Sequence, residues 1–422
     1  MSKSILLLAL LSIAMSVGTT AQNNSPWNCN TSSHLICLVP VATRSIGAQE
    51  SPASTFNSAF ATQLSELPLL SPASGVIFTF DKSLGMSIAS DNLGPILTER
   101  AHTIGKHKVL LAFAYQRFRF NSIDGNGLGS LPFVFPASQG QGGTQYTQLR
   151  EHVDFKLDQY VGLLTFGLTS KTDISVLVPL ERVSIGASAL DATVYNVSAS
   201  GQGTGQFRLP DSYTPGPASG IGDVFVNGKW RFWSGERSNL SAGLLLRFPS
   251  GDALNYLGSG AYGFNPYAVF SYDARLSPHV RLGYQFNTST VLLPVDINNA
   301  GAGNYGLPGG LQYNVGADYV LFKKVLTSVT GDLLGNYIVN SPVLNASTIG
   351  SAFSGLGKAY GSLSQDPALT TGETSYNSDQ ISIGVKVRPA KDFLLYGNVL
   401  FQVNNVGLRS NPVPLIGASY TF

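Results

Sequence analysis

From His107 to Phe422 the chain is dominated by segments of period two, and the connections between them are alternately long and short. Val280, Leu282, Tyr284 and Phe286 fall on one face of such a segment, with Arg281, Gly283, Gln285 and Asn287 on the other. Leu311 to Leu321 and Gln380 to Val387 repeat the arrangement. Successive strand side chains point to opposite faces, so each segment reads as a two-faced β-strand. Strands are expected near 107–120, 150–168, 172–187, 221–234, 238–249, 262–274, 279–290, 311–322, 325–340, 376–388, 393–404 and 411–422. Long connections are expected at 121–149, 188–220, 250–261, 291–310 and 341–375, and short charged turns between the other pairs. Soluble sandwiches also alternate, but nothing in them calls for turns that are short at one end and long at the other. A transmembrane antiparallel β-barrel does, and about twelve strands place both chain ends on the short-turn side.

Composition agrees with an all-β transmembrane barrel. Charged residues are 12% of the chain, well below the ~25% of soluble domains. Glycine reaches 46 residues and aromatics 10%, as small wall residues and aromatic girdles require. A net charge of +2 with scattered Lys and Arg gives no footprint for nucleic acid. Lys3, the apolar run Ile5 to Val17 and the small residues ending at Ala21 read as a secretory signal over 1–21. Export in a two-cysteine chain makes a Cys29–Cys37 disulfide the simplest expectation. Residues 22–106 lack sustained alternation and read as either a periplasmic extension or a plug in the lumen of the 107–422 barrel.

Charge within the strands points inward. Asp223, Lys229, Arg231, Arg247, Arg281, Asp318, Asp332 and Lys386 lie on the polar faces, and Arg or Lys facing lipid at mid-depth would cost ~2–4 kcal/mol. They form either an ion-pair network bracing the wall or plug, or a filter of mixed sign along a substrate path. Phe118, Phe120, Phe133 and Phe135 put an aromatic patch near the first long connection. Gly258-x-Gly260-x-x-Gly263 matches a dinucleotide fingerprint by letter, yet it runs from a loop into a strand rather than a helix. The five His residues are dispersed, and no nucleophile elbow is present. No enzyme, cofactor or metal site is therefore expected.

Two segments carry a family resemblance. Gly220-Ile221-Gly222-Asp223, running on to Lys229-Trp230, and Phe248-Pro249-Ser250-Gly251-Asp252 with Leu257-Gly258-Ser259-Gly260, resemble the outer-membrane transporters of the phenol-degradation meta-pathway type. That family is similar in architecture to the long-chain fatty-acid channels. Glu99-Arg100-Ala101-His102-Thr103-Ile104 also looks like this type of protein. The last strand, with Pro414, Ile416, Ala418, Tyr420 and the terminal Phe422 on one face, resembles the C-terminal signal read by the barrel assembly machinery. The resemblance implies location in the bacterial outer membrane, contact with its lipid, and passage of small hydrophobic or aromatic compounds. A general porin and a structural or adhesive surface protein with a closed lumen are the alternatives.

Overall fold

The computed structural model describes residues 34–39, 42, 59–60, 62–64, 67, 78–81, 85–88, 93–138, 143–293, 306–322 and 325–422. The barrel strands are β1 Val109–Ile123, β2 Thr144–Gly167, β3 Thr172–Val197, β4 Ser212–Ile221, β5 Val224–Ser234, β6 Ser238–Phe248 and β7 Gly263–Tyr272. They continue with β8 Leu276–Asn287, β9 Gly310–Phe322, β10 Leu326–Thr348, β11 Pro367–Ala390, β12 Phe393–Gln402 and β13 Val413–Thr421. Neighbouring strands pair antiparallel, β4 and β5 both with β3, and β13 returns to β1 with Thr421 opposite Leu110, which closes the sheet. β4 and β5 lie end to end along β3, so the closed wall has twelve staves. Below β4 the ladder is continuous around the barrel, the condition for crossing hydrocarbon with strands.

The outward face carries the apolar belt expected from the alternation. Leu111, Phe113, Tyr160, Leu180, Leu282, Phe286, Ile383 and Ile416 are all exposed there. On the inward face of the same strands lie Ser175, Asp318, Ser328, Asp332, Ser382 and Lys386, all buried. The pattern is that of a barrel whose outside meets lipid.

Stave height varies around the barrel. β6 to β9 have 11, 10, 12 and 13 residues, enough for one tilted crossing, whereas β2, β3, β10 and β11 have 24, 26, 23 and 24. The taller strands rise beyond the bilayer, and there the faces exchange character. On β2 the outward residues turn from Tyr160 and Leu164 to Arg150, Asp154, Lys156 and Asp158, while Leu149, Val153, Phe155 and Leu157 are buried inside. Water surrounds this upper section, so its core must be apolar and its skin charged.

The same change corrects the expected loops. Much of 121–149, 188–220 and 341–375 is strand: β2, β3, β10 and β11 continue into it, and Leu131–Ser138, Gly203–Arg208 and β4 add to it. β4 reads poorly as a strand because its inward positions are Thr214, Gly216, Ala218 and Gly220. Small residues are used there because another segment packs directly against the backbone.

Candidate functional site: a plugged lumen beside an interrupted wall

Residues 93–106 run through the periplasmic half of the lumen and are held by buried charge. Lys386, which is fully buried, donates from Nζ to the carbonyls of Leu93 and Pro95 at 3.0 and 2.8 Å. Thr98 donates from Oγ1 to Asp332 at 2.9 Å and shares a 2.7 Å hydrogen bond with His279 Nε2, itself 2.7 Å from Asp332. Glu99 pairs with Lys229 at 3.2 Å, and Arg100 with Asp318 at 3.6 Å. Gly94 has a φ of +74°, and a Cβ there would come 2.5 Å from Nε of Arg100, so the turn needs glycine in order to seat the guanidinium. Glu99 and Arg100 are thus each matched by an opposite charge on the wall, and Lys386 is met by two carbonyls, as burial demands.

The rest of this segment docks at the periplasmic rim. His102 Nε2 lies 2.8 Å from Asp273 in the β7–β8 turn, Thr103 donates to the Ser170 carbonyl at 2.9 Å, and the Ile104 amide donates to Asp173 at 2.9 Å. Burial lowers the proton affinity of His102, a tendency that the hydrogen bond to Asp273 opposes. The Glu99–Ile104 motif is thus a row of docking contacts to wall strands and turns.

The wall is interrupted between β4 and β5. The β5 strand pairs with β3 and with β6, from Val224 opposite Phe248 downward. Above it β4 pairs with β3, from Ile221 opposite Leu180 upward, and has no ladder on its other edge among the described residues. Its other side is filled by non-strand chain. Asp223, at the break, accepts from the Gly251 amide at 3.2 Å and from the amide and hydroxyl of Ser259 at 2.8 and 2.5 Å, with Arg247 Nε 3.9 Å away. Ser250 donates from its hydroxyl to the Gly222 carbonyl and accepts from the Val224 amide. A Cβ at Gly258 would come 2.4 Å from Asp223, and one at Gly251 2.1 Å from the Leu257 carbonyl. The two motif segments therefore form one clamp, which ties the 249–262 loop to the strand break.

An N-terminal piece stands in the interruption. The Leu35 amide donates to Asn255 Oδ1 at 2.9 Å, and Ser212 Oγ donates to the Ala42 carbonyl at 2.9 Å. A Cβ at Gly216 would meet the tips of Leu35 and Leu38 at 2.7 and 2.8 Å. These contacts put residues 34–39 and 42 between β4 and the 249–262 loop.

Beside this segment the upper lumen is aromatic. Phe60 lies 4.5 Å from Phe155, 5.6 Å from Tyr256 and 6.3 Å from Phe120, ring centre to ring centre. Phe118, Phe120, Phe133 and Phe135 are all buried inside. A cavity of about 60 Å³ adjoins the interruption, lined by Leu64, Leu157, Phe225 and Tyr256 together with the Gln159–Glu181 pair (2.7 Å).

The eight inward charges thus fall into four places. Lys229, Asp318, Asp332 and Lys386 face the 93–106 segment, and Asp223 and Arg247 hold the clamp. Arg281 donates to Asn265 at 3.0 Å and to Gln312 at 3.2 Å, with its guanidinium 4.5 Å from the Tyr267 ring centre. Arg231 sits at the rim, donating to the Ser170 carbonyl at 3.0 Å. Sequence reading missed Glu99 and Arg100 as their partners, because isolated letters in an irregular segment carry no period, and missed His279, which continues the Arg281 face of β8. Cys37 is disulfide-bonded, while Cys29 lies outside the described residues, as does the 1–21 segment. Tyr420 and Phe422 point outward with ring centres 4.7 Å apart, and the Phe422 amide donates to the Val109 carbonyl across the seam.

Comparison with known proteins follows this geometry. The model of the family described as putative MetA-pathway of phenol degradation matches residues 137–405. Among solved structures, the chain is similar to the COG4313 outer membrane channel from Pseudomonas putida F1, at 12% identity and a TM-score of 0.44, over 77% of this chain and 99% of that one. It is also similar to a Pseudomonas aeruginosa FadL homologue, at 10% identity and a TM-score of 0.29, over 76% of this chain and 90% of that one. The CymD monoaromatic hydrocarbon channel aligns at 9% identity and a TM-score of 0.26, over 75% of this chain and 89% of that one. No curated protein matches the chain.

Proposed function

Because this chain belongs to the family described as putative MetA-pathway of phenol degradation, we propose that it is an outer-membrane channel for small hydrophobic or aromatic compounds. One set of contacts supports the reading: aromatic side chains line the upper lumen beside a wall interruption, and buried ion pairs tie the 93–106 segment to the wall below. A compound entering from outside meets Phe118, Phe120 and Phe155 and then the cavity beneath Glu181. From there the space beside β4 is the short way out, with Leu35 and Leu38 as its stopper. Apolar solutes gain by leaving water for such a lining, and water-seeking solutes lose. Asp223 and Arg247 hold the frame of this opening, and the charges around 93–106 act as a brace rather than a filter. Tyr420 and Phe422 present the aromatic end of the last strand to the assembly machinery.

Flux into liposomes carrying the full chain tests this. Toluene is expected to enter faster than into protein-free liposomes, and sucrose at the protein-free rate. Leu35→Ala with Leu38→Ala, which thins the stopper, is expected to raise toluene flux several-fold while ionic conductance stays low. Toluene flux equal to that of protein-free liposomes defeats the proposal. Free passage of sucrose replaces it with a general porin.

A further inference from the structure

We propose that the outward face of β1, β2 and β3, just above the apolar belt, binds one phosphorylated glycolipid of the outer leaflet. Its phosphates would sit on Arg119 and Arg182, and an acyl chain would lie in the depression beside Phe113. The outward column of β1 reads Leu111, Phe113, Tyr115, Arg117, Arg119 from the belt upward, with Leu111, Phe113 and Arg119 exposed. In register across the strands, Arg117 faces Asp158, which faces Arg182, and one tier higher Arg119 faces Lys156. The patch holds four cations against two carboxylates, Asp154 and Asp158.

Both carboxylates are already engaged. Asp158 accepts from the Tyr115 hydroxyl at 2.6 Å and pairs with Arg117 at 3.4 Å, and Asp154 pairs with Lys156 at 2.6 Å. Arg119 and Arg182 are exposed, and neither side chain has an anion or acceptor partner among the described residues. Arg119 also stands directly opposite Lys156, and like charges placed so repel unless an anion lies between them. Two strands and two residues separate Arg119 from Arg182, a span on the order of 12 Å from strand spacing and rise. That span suits two phosphates on one disaccharide, and guanidinium groups bind phosphate through paired hydrogen bonds.

The wall beneath supplies the second half. Tyr115 and Tyr160 stack at 4.9 Å, and Phe113 and Tyr160 at 6.4 Å, forming an interfacial aromatic tier directly below the cations. Beside it, Gly397 and Ala418 leave a depression in the lipid-facing surface, walled by Phe113, Tyr115, Leu395 and Ile416. Cation, aromatic and hollow thus succeed one another as phosphate, sugar and acyl chain do in such a lipid. On β11, beyond β13 and β12, the outward face carries instead the carboxylate of Asp379, which accepts from Tyr313 at 2.7 Å and from Asn377 at 2.6 Å.

The test uses the full chain purified in detergent, with bisphosphorylated lipid A and the same lipid stripped of phosphate as probes. Wild type is expected to bind the phosphorylated form at least about tenfold more tightly, the effect of one charge-assisted contact. Arg119→Gln with Arg182→Gln is expected to abolish that preference, and Arg119→Lys with Arg182→Lys to restore part of it. Ala418→Phe, which fills the hollow, is expected to weaken both lipids alike. The electrophoretic shift on heating reports folding of each variant, and the single Gln variants serve if the double one does not fold. Equal binding of the two lipids by wild type, or an unchanged preference in the Gln variants, overturns the site.

Discussion

Ser259 is bound twice by one carboxylate oxygen of Asp223, through its amide at 2.8 Å and its hydroxyl at 2.5 Å. The two residues come from the separate motif segments and meet where the wall stops being sheet. Both glycines on either side are fitted to the same contact, Gly258 against Asp223 and Gly251 against the Leu257 carbonyl. The motif is therefore the fastening of an opening, which accounts for its mixture of glycine, serine and aspartate.

Removing the Asp223 charge tests the fastening. Asp223→Asn removes one buried negative charge facing Arg247 together with its part in the clamp, and breaking such a pair costs about 3–5 kcal/mol. The expected outcome is a lower unfolding midpoint in denaturant, together with faster protease cleavage within 249–262. Asp223→Asn combined with Arg247→Met is expected to cost less than the two singles added, since the pair is coupled.

The lower brace makes a separate prediction. Glu99→Gln with Arg100→Gln strips both charges that the 93–106 segment offers to Lys229 and Asp318. In planar bilayers the wild type is expected to conduct little, and this variant to open frequently to a several-fold larger conductance. A conductance identical to wild type would show that the segment does not close the pore.

Acidity should act on the same segment through its rim contact. The His102 affinity for protons is lowered in the docked state, first of all by burial. The docked form thus holds fewer protons than the released one. Its contribution is full above the ordinary imidazole value, about 6.5, and is lost as pH falls below that value and through the lowered one. Channel opening is expected to rise with acidification below about pH 6.5, and His102→Gln to remove the dependence.

The aromatic cluster should carry much of the upper section's stability. Phe155→Ala empties a fully buried site in contact with Phe60, Phe120 and Tyr256. A loss of about 3–5 kcal/mol is expected, read as a lower midpoint in urea. Leu282→Ala, on the lipid side, is expected to cost far less, because lipid tails refill the space.

How much of this was legible beforehand follows from which solvent each residue faces. Val280 to Phe286 alternates between lipid and lumen, so β8 shows in the letters alone. Phe118 and Phe120 lie above the bilayer, where inside and outside trade character, so their place at the end of the expected 107–120 strand does not show which way they face. The Ser212–Ile221 stretch looked like loop because Gly216 and Gly220 serve an approaching chain, not a pattern. Lys229, Asp318, Asp332 and Lys386 were identifiable as inward from the cost of facing lipid. Their partners Glu99 and Arg100 were not, since they lie in a segment without periodicity and only the fold brings them near.

The unequal stave heights have a consequence for where a molecule ends its journey. On the β6 to β9 side the rim stands barely above the bilayer, whereas β2, β3, β10 and β11 form a crest well over it. The mouth is therefore canted, and the interruption beside β4 lies where crest descends to low rim. On the proposed route, a solute shed at the foot of β4, level with Leu180 at the top of the apolar belt, meets hydrocarbon tails before it meets the periplasm, so its onward travel is set by partitioning and sideways diffusion in the membrane. For such a carrier, oiliness of the cargo is a means of delivery and not merely a condition of entry.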